Sequence, residues 1–242
     1  MAQPDPRILV VDVGGTHVKV LLRGQSAWRE AASGPTMTPA AMVRAVRRLT
    51  RGWRYDVVAM GFPGVVWHHR PVTEPRNLGK GWVGFDYRKA FARPVRIIND
   101  AAMQAIGSYE GGRMLFMGLG TGLGVALIID GTVEATELGH LPYRKGRTYE
   151  EYLGARGLER LGKKKWRRAV ADVAERLQVA FEVDYVVLGG GNARLLKKLP
   201  PRARLGNNSH AFEGGFRLWL EPNWMGRALP LASSAARRSR RR

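Results

Sequence analysis

The sequence repeats one unit, an apolar run, a glycine turn and a second apolar run. Residues 8–11 lead into Asp12-Val13-Gly14-Gly15-Thr16-His17, and residues 18–22 lead out. Further on, residues 114–117 lead into Gly118-Leu119-Gly120-Thr121-Gly122-Leu123-Gly124, and residues 125–129 lead out. Aliphatic runs interrupted by glycine read as paired strands joined by a tight turn. An internal echo of that unit predicts a duplicated architecture. A turn without Cβ atoms also lets backbone N–H groups approach an anion. Two such turns facing one cleft would form a phosphate clamp. Asp12 ends the first strand, where a carboxylate can face a metal-bound phosphate. Taken alone, Asp-x-Gly-Gly-Thr is equally the tip of an ordinary hairpin.

The remaining segments alternate between helical and strand patterns. Residues 28–38 are polar and turn-rich, and 39–53 place Met42, Val43, Val46 and Leu49 at helical spacing. Residues 56–66 read as a buried strand ending in a Gly/Pro loop, with His68 and His69 as exposed loop residues. The loop 74–82 carries Asn77, 86–92 reads as a short helix, and 94–98 as a strand ending on Asn99-Asp100. A small-residue helix follows over 101–109. A carboxylate between strand end and helix start lies where α/β folds place ligands, which makes Asp100 the candidate for chemistry. The competing reading is a helix N-cap. Asp130-Gly131 is a hairpin turn signal. Glu137 and His140, three residues apart, can both hydrogen-bond a hydroxyl-rich ligand, although such residues are also common on plain surfaces. Helices are expected over 149–161 and from Lys163-Lys164-Lys165-Trp166-Arg167-Arg168 to about 181. That basic run beside an aromatic suits a polyanion, or a solvated helix face. A strand over 184–188 leads to Gly189-Gly190-Gly191-Asn192. This third glycine loop is expected to enter a helix over 193–199 whose N-terminus could hold phosphate or ribose. A last short helix is expected over 211–219.

Length and charge bound the rest. The 242 residues allow one large domain or two small ones, and 45% hydrophobic residues can build a sizeable core. With no cysteine there is no disulfide and no thiolate metal site, which fits a reducing cytoplasm. Residues 1–7 are polar, and no stretch is long enough to span a bilayer. The expectation is a soluble, unexported, cytoplasmic protein without a membrane partner. The formal net charge is +20, from 40 Lys+Arg against 20 Asp+Glu. Arg237-Arg238-Ser239-Arg240-Arg241-Arg242 holds part of that excess, but the body is basic without it. Such a balance implies affinity for polyanions. Nucleic acid, a membrane surface and inorganic polyphosphate all have that chemistry. Residues 221–242, rich in Pro, Ser and Arg, are expected to be a disordered tail.

In order along the chain stand Asp12-x-Gly-Gly-Thr with Lys19, Gly61-Phe-Pro-Gly64, Asn99-Asp100-Ala and Leu119-Gly-Thr-Gly-Leu-Gly124. Glu137-Leu-Gly-His140, Gly189-Gly-Gly191 and Asn207-Asn208 complete the series. This ordered set resembles the ROK family of bacterial sugar kinases, within the actin/hexokinase-like superfamily, and in particular its polyphosphate glucokinases. The resemblance implies an α/β, two-domain actin/hexokinase-like (ribonuclease H-like) fold with an interdomain cleft. On that template, 1–108 form an N-terminal α/β domain and 109–220 a C-terminal one, followed by the tail 221–242.

The resemblance also implies roles. Asp100 matches the catalytic base. Asn99, Glu137 and His140 match sugar-hydroxyl ligands, and Glu150 and Asn77 match further sugar contacts. Gly14, Gly15 and Thr16, with Lys19, match the first phosphate loop. Gly120, Thr121 and Gly122 match the second, and Gly189, Gly190 and Gly191 the nucleotide-side loop. The implied reaction is phosphorylation of glucose or a related hexose with Mg²⁺ and either polyphosphate or ATP as donor. Asp12 holds the metal directly or through water, and positioning dominates so far that an unshifted carboxylate suffices as base. Most of the family carries a cysteine-rich zinc motif between the positions of His140 and Glu150. This chain has no cysteine there, so no such zinc site is expected. A homodimer is the assembly the family suggests, and nucleic acid is not among the favoured partners. The alternatives are an ATP-only hexokinase of other specificity and a non-catalytic polyanion-binding protein on the kinase fold. A ROK-type regulator would need an N-terminal helix-turn-helix, and only seven residues precede the first expected strand.

Overall fold

Two hairpins set the architecture. In the computed structural model, which describes residues 5–207, 209–221 and 224, β1 (Ile8–Val13) pairs antiparallel with β2 (His17–Leu22). A third strand, β3 (Arg29–Ala32), adds to β2. It lies inside the segment expected to be only turns. Its residues are mostly exposed, so it carries no apolar alternation to betray it and is held by backbone pairing.

The chain then forms α1 (Pro39–Leu49), capped by the Thr38 side chain, and β4 (Val57–Phe62), parallel to β1. A small hairpin, β5 (Val66–Trp67) and β6 (Arg70–Pro71), precedes α2 (Tyr87–Phe91), which Asp86 caps. β7 (Val95–Asn99) joins β4 in parallel, and α3 (Asp100–Ser108) follows without a break. The first sheet therefore runs β3-β2-β1-β4-β7. His69 departs from the expectation of an exposed loop residue. It is half-buried, with Nδ1 2.9 Å from the Ile97 carbonyl oxygen.

The second half repeats this order. β8 (Arg113–Leu119) and β9 (Leu123–Ile129) form the second hairpin, and β10 (Thr132–Thr136) extends it after the Asp130-Gly131 turn. A short hairpin, β11 (Pro142–Arg144) and β12 (Arg147–Thr148), leads into α4 (Tyr149–Leu153) and α5 (Ala155–Ala180). β13 (Tyr185–Gly189) runs parallel to β8, and β14 (Ala203–Leu205) parallel to β13. The second sheet is β10-β9-β8-β13-β14, the topological copy of the first. The duplication read from the two glycine turns is thus present in the sheets.

Three expectations fail locally. The helix over 149–161 is two helices, because Gly154 turns extended between α4 and α5. The basic run 163–168 then continues α5 past a non-helical Gly162. No helix follows the third glycine loop, where residues 193–199 hold only the 3₁₀ turn Ala193–Leu195. Pro200 biases Leu199 away from helical geometry, and the segment is too short to compensate.

The last helix, α6 (His210–Leu220), lies between the sheets with α3. Ile8 and Val10 of β1, Met114 and Phe116 of β8 and Ala126 and Ile128 of β9 all pack on this middle helical layer. Alternate residues face outward. Leu9, Val11 and Val13 meet α1, while Leu115, Met117 and Leu119 meet α5. The order is helix, sheet, helix pair, sheet, helix. Both sheets are covered on both faces, which explains the near-continuous apolar runs. Within 109–220, α6 is the segment that reaches back to the first sheet. Trp219 Nε1 donates to the Val58 carbonyl at 3.1 Å, and the Arg96 guanidinium stacks 4.0 Å from the Trp219 ring. Of the expected tail, Glu221 and Trp224 are described, and Trp224 is buried edge-on against Tyr109. Asn208 and the rest of the tail lie outside the described residues. Among the described residues no helix is long and apolar enough to cross a membrane.

Candidate active site

Parallel pairing brings two carboxylates to one edge of the first sheet. Asp12 pairs with Gly61 across β1 and β4, and Gly61 pairs with Ile98 on β7. Asp100 follows one residue after β7 ends. Asn99, not Asp100, is the N-cap of α3. Its Oδ1 accepts from the Ala102 N–H at 3.0 Å, and its Nδ2 donates to the Gly64 carbonyl at 3.2 Å. The capping explanation for Asp100 therefore falls away. Its carboxylate accepts only locally, from the Ala101 N–H at 2.8 Å.

Electrostatics couple the cluster. Burial first, then the charge of Asp12, and finally Glu137, push the Asp100 carboxyl up to about 7, against the opposing pull of backbone N–H groups. This replaces the expectation of an unshifted carboxylate. Burial likewise raises Asp12 to about 6, countered by its cross-strand neighbour Lys19. A paired cation thus lowers a proton affinity that desolvation alone would raise further.

The glycine turns sit close to these groups. The Gly14 N–H donates to the His17 carbonyl at 2.9 Å, and Ser33 Oγ donates to the Gly14 carbonyl at 2.6 Å. Gly15 lies against the loop carrying Asn77, since a Cβ on Gly15 would stand 3.2 Å from Asn77 Cβ. Thr16 is exposed, its hydroxyl 3.2 Å from His17 Nδ1. In the second turn the Gly120 N–H donates to the Gly122 carbonyl at 3.1 Å. Gly124 allows contact with α3, because a Cβ there would stand 2.8 Å from Ala101 Cβ. The break at Gly154 has a purpose visible here. It directs the start of α5 at this turn, with the Ala155 N–H donating to the Thr121 carbonyl at 3.1 Å.

Gly189, Gly190 and Gly191 close against the same turn. Asn192 donates from Nδ2 to the Gly120 carbonyl at 3.2 Å and from its backbone N–H to the Leu119 carbonyl at 2.9 Å. The missing helix means that no helix N-terminus stands at this loop. Its role in the structure is to buttress the second turn.

Glu150 is drawn in more closely than its place on α4 suggested. One carboxylate oxygen accepts from the Leu123 N–H at 3.2 Å, and the other pairs with Arg76 at 3.3 Å. Glu137 and His140 occupy a 3₁₀ turn over Leu138–His140, with His140 Nδ1 3.4 Å from Glu137 Oε2. Gly139 seats that turn on β9, where a Cβ would meet the Leu123 carbonyl oxygen at 2.8 Å. Asn77, Glu137 and His140 are exposed. The basic run on α5 keeps its lysines in solvent, but Trp166 is fully buried and donates to the Leu153 carbonyl at 2.9 Å. It is a core residue, not a stacking platform for a ligand.

Sequence reasoning missed several positions. Glu74 shapes the Asn77 loop by accepting from the Trp82 and Val83 N–H groups, each at 3.2 Å. Ser33, Arg76 and Asn192 were also passed over. Only Asn192 carried a signal, being the polar residue that ends a glycine run.

The family model of the ROK family matches residues 8–157. The polyphosphate glucokinase of Mycobacterium tuberculosis (strain CDC 1551 / Oshkosh) is 29% identical over 181 residues, covering 68% of this chain and 67% of the relative. Among solved structures, the inorganic polyphosphate/ATP-glucomannokinase of Arthrobacter sp. strain KM superposes with a TM-score of 0.77 at 23% identity, covering 89% of this chain and 98% of that one. The ROK family glucokinase of Streptomyces griseus, solved with glucose and AMPPNP, gives 0.71 at 18% identity, covering 88% and 99%. These two likenesses speak for the fold. With the motifs in order, the duplicated sheets and a family match over more than half its length, this chain belongs to the ROK family.

Proposed function

We propose that this protein is a sugar kinase that transfers the terminal phosphoryl group of polyphosphate or ATP to the 6-hydroxyl of glucose, giving glucose 6-phosphate. The observation that carries the reading is Asp100, a half-buried carboxylate between two glycine turns with its pKa raised to about 7. A base poised near neutral pH can accept a proton as it is released. Asp100 orients the primary hydroxyl of the sugar and takes its proton. The oxygen attacks the terminal phosphorus, the new O–P bond forms, and the bond from phosphorus to the bridging oxygen of the donor breaks. The shortened donor leaves with that electron pair. Backbone N–H groups around Gly14–Gly15 and Gly120–Gly122 stabilise charge on the moving phosphoryl group. Asn99, Glu137, His140, Glu150 and Asn77 are assigned to the sugar hydroxyls. The nearness of loop to loop favours positioning as the main catalytic device.

Mg²⁺ fits the donor set. The ion usually takes one or two carboxylates, phosphate oxygens and waters. Asp12 lies close enough to Asp100 for its charge to act on it, so a cation there would relieve two neighbouring acids. When bound, the ion supplies charge neutralisation along the phosphates, and Asp12 would hold it. Polyphosphate is favoured as donor by the net charge of +20, with exposed Lys163, Lys164, Lys165, Arg168, Lys197 and Lys198 as cations for its length. Arg167 is half-buried and donates from Nε to the Leu195 carbonyl at 2.6 Å.

The test is hexose phosphorylation with Mg²⁺ and either donor alone, with Asp100→Ala alongside. The substitution should lower kcat by about 10³-fold or more while glucose still binds. Near-normal turnover would remove Asp100 from its role, and silence of the unaltered protein with every hexose and donor would remove the kinase reading.

A further inference from the structure

The loop that carries Asn77 is rigid at its base and free at its tip. Glu74 holds two backbone N–H groups, the Gly79 N–H donates to the Met37 carbonyl at 3.0 Å, and Trp82 is fully buried against Phe62 with ring centroids 5.6 Å apart. At the tip, Asn77 touches the first glycine turn at Gly15. Its neighbour Arg76 reaches to Glu150, which fills the space a Gly122 side chain would need, a Cβ there standing 2.5 Å from Glu150 Oε2. Arg76 therefore bridges from one glycine turn to the other, as a cation in the middle of the phosphate clamp.

The bridge is weakly held. It is a single contact of 3.3 Å from Nη1, and the Arg76 side chain is 69% exposed. A guanidinium carries five donors in a planar fork that matches phosphate oxygens. Exposed ion pairs contribute little, so a multiply charged phosphate arriving between the turns would outcompete one carboxylate.

We propose that Arg76 is a phosphoryl-contacting residue that exchanges Glu150 for the terminal phosphate of the donor, and so releases Glu150 to the sugar. This rests on the kinase reading. During transfer Arg76 gives up no proton. It stays cationic and holds non-bridging oxygens while the O–P bond to the sugar forms, the bond to the leaving oxygen breaks, and Asp100 takes the hydroxyl proton. Charge-assisted, bidentate pairs of this kind are the strong ones.

Arg76→Ala and Arg76→Lys test it, with Lys80→Ala as a control that removes an exposed cation from the same loop. Two readouts are needed, steady-state kinetics with glucose and each donor, and equilibrium binding of tripolyphosphate without sugar. Arg76→Ala should lower kcat about 100-fold and weaken tripolyphosphate binding about tenfold. Arg76→Lys should recover part of both, added guanidinium should partly rescue the alanine variant, and Lys80→Ala should match the unaltered protein. Unchanged tripolyphosphate binding with kcat within about twofold overturns the proposal, as does a loss confined to the KM for glucose, because the phosphoryl group is bound by the donor site. If the unaltered protein phosphorylates no hexose, the kinase reading falls, and the tripolyphosphate comparison still decides whether Arg76 binds phosphate.

Discussion

Asp100 and Asp12 are where folding and chemistry pull in opposite directions. Both carboxyls bind protons more tightly in the folded chain than in the unfolded one, at about 7 and about 6 against an ordinary 3.8. The folded state is therefore favoured by protonation. That stabilisation is complete below about pH 3.8 and is lost as pH rises through about 6 to 7. Above pH 7 the fold carries two ionised acids side by side. Asp100→Asn removes one of them and keeps an oxygen able to accept from the Ala101 N–H. Without Mg²⁺, in chelator, it should raise Tm by about 2–6 °C at pH 8 and leave Tm nearly unchanged at pH 4. The same variant should be almost inactive, so stability and turnover would move apart. A thermal melt at the two pH values checks this, and an equal shift at both would mean that ionisation is not the cause.

At the scale of elements, the glycine turns divide into those that need glycine and those that tolerate more. Gly190 has a φ of +80°, and a Cβ there would stand 2.6 Å from the Leu119 carbonyl oxygen. Gly191, next to it, has nothing within 4 Å of where a Cβ would lie. Gly190→Ala should cost about 2–4 kcal/mol in a denaturant melt, and Gly191→Ala less than about 0.5 kcal/mol. Equal costs would show that this loop does not buttress the second turn as described. The same contrast explains what was readable beforehand. A hairpin between apolar runs announces itself through residues that no other local structure favours, so β1–β2 and β8–β9 were legible, and with them Asp12 and the duplicated plan. β3 was not, because an exposed strand is specified by the backbone of its neighbour. The split of 149–161 was hidden because Gly154 is disallowed a side chain by the Thr121 carbonyl, 2.8 Å from where its Cβ would be, a contact made far along the chain. The helix over 193–199 was overread, since local spacing favoured it and Pro200 did not. Arg76 was invisible for the same reason as Gly154. Its partner Glu150 is 74 residues away, and nothing local marks an arginine in a loop as a bridge.

For the whole molecule, the layered order leaves α1 and α5 as outer faces, and both are cationic. Arg44, Arg47, Arg48, Arg51 and Arg54 are exposed on or just after α1, and no acid occurs between Glu30 and Asp56. Lys163, Lys164, Lys165 and Arg168 are exposed along α5. A short donor such as ATP meets only the cleft. A long phosphate chain is surrounded by condensed counterions and meets the outer charge as well, so its binding gains from releasing those ions. The two donors should then respond differently to salt. Raising KCl from about 50 to about 200 mM should increase the KM for long-chain polyphosphate about tenfold, and that for ATP only about twofold, because the Debye length shortens for both but ion release scales with the number of phosphates held. Charge reversal at Arg48 and Arg51, or at Lys164 and Lys165, would identify the face responsible by flattening the polyphosphate slope while leaving the ATP slope alone. Parallel slopes for the two donors would mean that the surplus charge stands outside the donor site, and that the cleft alone selects what it is given.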